Sequence, residues 1–193
     1  MPTDILPSII IIAVLLVFSA FFSASETAFS TCNRIKLKTL AEKGHKGAKR
    51  ALKIADAFDK TLTTILIGNN IVNIASTSIT TTLFVMLFGD AGAGIATAVM
   101  TVLVLIFGEI IPKSLAKETA DNGVMWMSVP LKFIMFILTP FSALFTLLKN
   151  GIIKLFNVRS SNTGVTADEL LYIVNEGEEQ GSLDEDESDL VRS

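Results

Sequence analysis

The sequence predicts an all-α integral membrane protein: three transmembrane helices, a cytoplasmic helix pair and a broken juxtamembrane belt helix. Three observations predict it. Hydrophobic residues make up 50% of the 193 positions and charged residues 18%, where a soluble domain carries about 25% charged. The apolar residues stand in long charge-free blocks, as segments crossing about 30 Å of hydrocarbon must. The charges are segregated along the chain, so the net charge of −3 says little about partners. The single cysteine, Cys32, leaves no intramolecular disulfide. No basic segment precedes the first apolar run and no small-residue cleavage site is evident, so a retained helix is preferred to a cleaved signal peptide. There is no internal repeat and no low-complexity tract.

The first span is expected at about 5–31. Residues 5–25 carry no charge, and the run ends in Ser19-Ala-Phe-Phe-Ser23-Ala-Ser25-Glu26. A basic connection follows at about 34–60, from Arg34 to Lys60, with Leu37, Leu40, Ala51 and Ile54 at roughly helical spacing. Gly44 and Gly47 flank His45, which predicts a turn between two short amphipathic helices. Such a basic loop belongs on the cytoplasmic side. It either lies against anionic headgroups or forms a solvated hairpin. Its charge does not indicate nucleic acid, because its place between two spans already explains it.

The second span, about 61–88, is unusually polar: Asn69, Asn70, Asn73, Ser76, Thr77 and Thr80 lie inside it. A glycine-rich turn without positive charge, 89–94, suits the outer side. The third span, about 94–111, ends in Phe107-Gly-Glu-Ile-Ile-Pro-Lys113. An ionisable group inside a span costs roughly 2.5 kcal/mol or more at the bilayer centre, so Glu109 marks a functional site by default. Pro112 lacks an amide hydrogen and its ring clashes with the carbonyl of Gly108, which predicts a helix break there.

A fourth apolar block is interrupted by Pro130, Lys132 and Pro140 and flanked by lysines at both ends. If both flanks are inside it cannot cross once. It is expected to form the belt at about 124–156 along the inner interface, with the C-terminus cytoplasmic and the N-terminus outside. The alternative is a fourth span with the C-terminus outside. Residues 1–159 thus form the transmembrane domain. From 160 the chain turns soluble: Thr166 to Glu169 resembles a capping box, and an acidic run follows to Asp189. This stretch, 160–193, reads as the lead-in to a further domain.

The polar residues of the spans fall at one depth. At about 1.5 Å per residue, Ser19 and Ser23 lie about 21 and 27 Å from the outer end, and Glu109 about 22 Å. Asn69 and Asn73 lie about 12 and 18 Å from the inner end. Ser19 and Ser23, and Asn69 and Asn73, are four apart and share helix faces. The spacing allows an oxygen-lined pocket of Ser19, Ser23, Asn69, Asn73, Glu109 and the Gly108 carbonyl. Oxygen ligands without His or Cys suit hard cations, and spacing leaves magnesium, calcium and sodium open. The competing readings are local: serines bonding back to their own helix, asparagines tying helix to helix, Glu109 paired with Lys113, and Glu26 capping or pairing with the basic loop. An intramembrane enzyme using Ser23 or Ser25 is disfavoured, because the only histidine, His45, lies in the basic loop.

At these residues the chain resembles the transmembrane domain of the CNNM/CorC family, also called cyclin M or magnesium and cobalt efflux proteins. The motifs are Phe22-Ser-Ala-Ser-Glu-Thr-Ala28, Gly68-Asn-Asn-Ile-Val-Asn73 and Phe107-Gly-Glu-Ile-Ile-Pro-Lys113. The resemblance implies a multi-pass protein of the cell membrane that is homodimeric. It implies sodium-driven export of Mg2+, expected to pass through a polar, inward-facing site between the three spans, with cytosolic CBS domains following the chain and binding ATP there. By motif position it implies Ser19, Ser23, Asn73, Gly108 and Glu109 as ligands. Asn69, Asn70, Glu26 and Ser25 form a second tier for metal or coupling ion. The expected partners are lipid and a second copy; an enzyme is not expected. The alternative function is a magnesium sensor that regulates other transporters without moving ions.

Overall fold

The structure, a computed structural model, describes residues 5–155. The expected capping box and acidic run lie outside the described residues. Met1–Lys149 form one compact unit and Asn150–Ser193 a second, of which only the end of the last helix is described.

Every regular element among the described residues is helical. Helix α1 spans Ile5–Thr31, followed by α2, Arg34–Glu42, and α3, Lys46–Asp56. Asn33 caps α2: its Oδ1 accepts from the Lys36 amide at 3.0 Å. His45 caps α3, its Nδ1 accepting from the Ala48 amide at 3.3 Å, so this histidine closes a helix end. The reversal between α2 and α3 needs a left-handed residue, and Gly44 supplies it at φ +87°.

Helix α4, Phe58–Phe88, leads into a single 3-10 turn at Gly89–Ala91, where Gly89 takes φ +63°. Helix α5, Gly92–Leu103, then runs back along α4. Three stretches are long and apolar enough to cross a membrane: Ile5–Thr31, Phe58–Glu118 and Ala120–Phe141. The middle stretch is a hairpin folded at Gly89, so it supplies two antiparallel passes. Leu6, Ile10, Val14 and Val17 of α1 and Leu87, Phe88 and Val102 of the hairpin are exposed, as lipid-facing residues are.

After α5 the helix widens into a π segment, Val104–Ile110, and continues without interruption as α6, Ile111–Glu118. This corrects the break expected at Pro112. The Ile111 amide donates to Ile106, five residues back, and the proline enters at the start of α6. A wider turn separates the proline ring from the carbonyl it would otherwise strike, so the chain bulges instead of breaking.

The last helix, α7, is also continuous, over Ala120–Leu155, with Pro130 and Pro140 inside it. The expected break of the belt is therefore corrected. Proline is tolerated in apolar helices where neighbouring hydroxyls and local adjustment re-satisfy the backbone. Here Ser128 Oγ and Thr139 Oγ1 donate to the Met125 and Met135 carbonyls at 2.7 and 2.6 Å, whereas the carbonyls that lose a donor to Pro130 and Pro140 are those of Trp126 and Phe136, four residues back.

The core lies where the short helices meet α1, α4 and α7. Phe22, Phe29, Leu37, Ala51, Ile54, Ile65, Val124 and Leu131 share one buried cluster. Helix α3 buries Ala48, Ala51, Ile54 and Ala55, a single face at helical spacing. At this end Asp121 clasps two turns together: its Oδ1 accepts from the Asn33 amide at 2.9 Å and its Oδ2 from Lys36 Nζ at 2.8 Å.

Candidate cation site

Helix α1 packs against both α4 and the π segment, and this places three polar rows side by side. Two glycines permit the approach. A Cβ on Gly68 would overlap the Phe22 ring, and one on Gly108 would stand 2.8 Å from Ser19 Oγ. Ser19 Oγ in turn donates to Asn69 Oδ1 at 3.1 Å, and Asn73 Nδ2 donates to the same oxygen at 3.4 Å. A polar chain thus runs from Gly108 through Ser19 and Asn69 to Asn73.

Asn73 and Glu109 line one crevice of about 300 Å3 between α4 and α5, together with Thr77, Thr97 and Thr101. The crevice extends from Glu109 towards the turn at Gly89, away from α2 and α3. The ends of the bundle are fixed by contacts: Ser8, near the start of α1, borders a cavity with Leu83 and Met86 of α4. An opening on the side of the basic helix pair was expected instead. On that side Ser19 abuts Gly108, and further along Lys113 Nζ meets Glu26 Oε2 at 3.2 Å. The competing reading, in which Lys113 pairs with Glu109, is not the arrangement found, and no ion pair among the described residues involves Glu109.

The donor set follows from what is already bonded. Ser19, Ser23 and Ser25 are fully buried, and the hydroxyls of Ser23, Ser25 and Ser76 have no hydrogen-bond partner among the described residues. Asn73 Oδ1 is likewise buried and unpartnered. A buried polar atom left unpaired costs about 1–3 kcal/mol, so the unpaired Asn73 oxygen, in the crevice it shares with the Glu109 carboxylate, fits a cation. Ser23 lies one turn beyond Ser19 on the same face. Thr77, Thr97 and Thr101 instead spend their hydrogens on carbonyls four residues back. Among the described residues no group of three or more His, Cys, Asp or Glu could hold a metal. The oxygens here are neutral but for Glu109, which suits a hard cation held weakly enough to leave.

The family model of the cyclin M transmembrane N-terminal domain matches residues 10–187. The chain belongs to the cyclin M family. A DUF21 domain-containing chloroplastic protein of Arabidopsis thaliana is 39% identical over 95% of this chain and 28% of its own length. The UPF0053 inner membrane protein YfjD of Escherichia coli is 33% identical over 84% of this chain and 39% of its own. A protein of Salmonella typhimurium named polyamine export protein is 27% identical over 97% of this chain and 45% of its own. The chain therefore spans between 28% and 45% of the length of these three relatives.

Within this cyclin M domain, Ser19, Asn69, Asn73 and Gly108 are joined by contact, and Glu109 shares the crevice with Asn73. Ser23 and Ser25 are buried in the same helix as Ser19. Two second-tier residues are engaged elsewhere. Glu26 pairs with Lys113, and Asn70 is exposed, with its Nδ2 bonded to the Leu66 carbonyl at 2.9 Å. Thr97 and Thr101 were not singled out from the sequence, although their four-residue spacing continues to Glu109 at 101 plus eight. A pair of threonines four apart carries little signal by itself, because most such hydroxyls bond to their own helix.

Proposed function

We propose that this chain is the membrane portion of a Mg2+ exporter, with Mg2+ as cargo and Na+ as coupling ion. The observation that carries the reading is the buried, unpartnered Asn73 Oδ1, whose residue lines one crevice with Glu109. Magnesium takes a small shell of oxygens and keeps several waters, so one carboxylate with a few hydroxyl and amide oxygens forms a releasing site. Ser19, the Gly108 carbonyl and Asn69 complete the polar surface. Pro112 has no N–H for that carbonyl, which leaves its oxygen free of the usual α-helical donor.

The orientation follows the basic helix pair, which belongs in the cytoplasm with the C-terminus, leaving the N-terminus outside. In that orientation the crevice runs from Glu109 to the outer end, which supports release outward. We infer a homodimer in the cell membrane, with α7 as a belt along the inner interface. ATP would act on the CBS region that follows the membrane domain in similar proteins.

The relatives named polyamine export proteins favour a second reading, a polyamine as cargo. A polyamine carries several ammonium groups spread along a chain and calls for several acceptors of negative charge. The crevice offers one carboxylate, so the inorganic cation is preferred. Purified chain in liposomes loaded with a Mg2+ indicator tests both readings. Export predicts Mg2+ movement with no other protein present, accelerated by an opposing Na+ gradient and unaffected by spermidine. Silent liposomes with correctly inserted protein would leave the regulator reading in its place.

A further inference from the structure

Where α3 and the start of α4 meet α7, four cations converge. Arg50, Lys53, Lys60 and Lys132 line a groove of about 320 Å3, and Met135 and Phe136 form part of its wall. The described residues contain two ion pairs, Lys36 with Asp121 and Lys113 with Glu26, and neither involves these four. No carboxylate lines the groove. Like charges gathered around one space repel, and the arrangement is stabilised by an anion. Lys132 is the informative member, because it stands inside the apolar stretch Ala120–Phe141. A lysine so placed extends its head towards a polar boundary while its stem stays with apolar neighbours.

The wall decides what kind of anion. Phe136 is 79% exposed, and Phe133 and Trp126 of the same helix are 66% and 84% exposed. An exposed aromatic beside a cationic quartet suits a ligand with a phosphate at one end and a hydrocarbon chain at the other. We propose that this groove binds one anionic phospholipid, its headgroup phosphate on Arg50, Lys53, Lys60 and Lys132 and an acyl chain along Met135 and Phe136. A free phosphate would use the cations and leave the apolar wall idle. An acidic peptide, such as the chain's own run from Glu176 to Asp189, would do the same. The lipid would tie α3 to α7, and so brace the helix pair against the bundle independently of the cation site.

The test is retention of lipid by the purified full chain, read by native mass spectrometry after exchange into phosphatidylglycerol or phosphatidylcholine of identical acyl chains. The wild type is expected to keep phosphatidylglycerol in preference. Arg50→Gln with Lys132→Gln is expected to lower that retention about tenfold or more, since each cation near an anionic surface contributes about 1 kcal/mol. Lys38→Gln with Lys49→Gln removes the same charge from other exposed positions and is expected to change nothing. Phe136→Ser probes the apolar limb without altering charge and is expected to weaken retention too, which keeps the proposal exposed should the double variant fold poorly. Equal retention of the two lipids, full retention in the Arg50/Lys132 variant, or equal loss in the Lys38/Lys49 control would overturn it. So would displacement of the lipid by millimolar inorganic phosphate, or a gain in retention on deleting residues 176–193, which would make the acidic run the occupant.

Discussion

Lys113 Nζ lies 3.2 Å from Glu26 Oε2, so the lysine of the third motif pairs with the carboxylate of the first and leaves Glu109 to the crevice. The two side chains are 41% and 28% exposed, and a partly exposed pair contributes about 0.2–1 kcal/mol. Glu26→Gln is therefore expected to lower the melting temperature only slightly and to leave the Mg2+ response intact. A loss of that response as large as the one caused by Glu109→Gln would move Glu26 into the site.

Gly108→Ala tests the contact between α1 and the π segment. The new methyl would stand 2.8 Å from Ser19 Oγ, closer than side-chain carbons settle. Overpacking of this kind costs about 1–3 kcal/mol. The expected outcome is a lower melting temperature together with loss of the Mg2+ response, because Ser19 and its bond to Asn69 must shift. A variant with unchanged stability and response would show that the two helices do not meet as described.

Ser23→Ala has a sign that separates the two roles of a buried serine. Its hydroxyl has no partner among the described residues, and an unpaired buried group costs about 1–3 kcal/mol. Alanine removes that cost, so the variant without Mg2+ is expected to melt at the same temperature or higher, while stabilisation by Mg2+ falls. A lower melting temperature without Mg2+ would identify Ser23 as a structural hydrogen-bonder.

The course of α7 is open to labelling, because Cys32 is the only cysteine to be removed. In a Cys32→Ser background, Lys46→Cys and Ser161→Cys are expected to react with an impermeant maleimide from the same face of sealed vesicles. Reaction from opposite faces would make Ala120–Phe141 a crossing helix and overturn the belt.

Much of this architecture could be read from the residues. Helix α1, Ile5–Thr31, contains the whole charge-free run 5–25, because such a run is what the hydrocarbon selects. The two-helix reversal at Gly44 follows from glycine's access to positive φ. The polar row of Ser19, Asn69 and Asn73 meets because four-residue spacing puts each pair on one face. What could not be read was how the helices respond to proline. A π turn before Pro112 has the same composition as a break, and α7 runs on through Pro130 and Pro140 although the local pattern reads as an interruption. The partner of Lys113 was also hidden. Glu109 is four residues away on the same chain, whereas Glu26 becomes the nearer acid only through the packing of α1 on α6.

The central claim is that Glu109, with the neutral oxygens around it, holds the transported cation. The most direct measurement is Mg2+-dependent thermal stabilisation of the purified chain, comparing wild type, Glu109→Gln and Glu26→Gln. A site occupied a hundredfold above its dissociation constant adds about 2.7 kcal/mol, enough to raise the melting temperature by several degrees. The wild type and Glu26→Gln should show that rise and Glu109→Gln should lose it. An equal rise in Glu109→Gln would contradict the assignment.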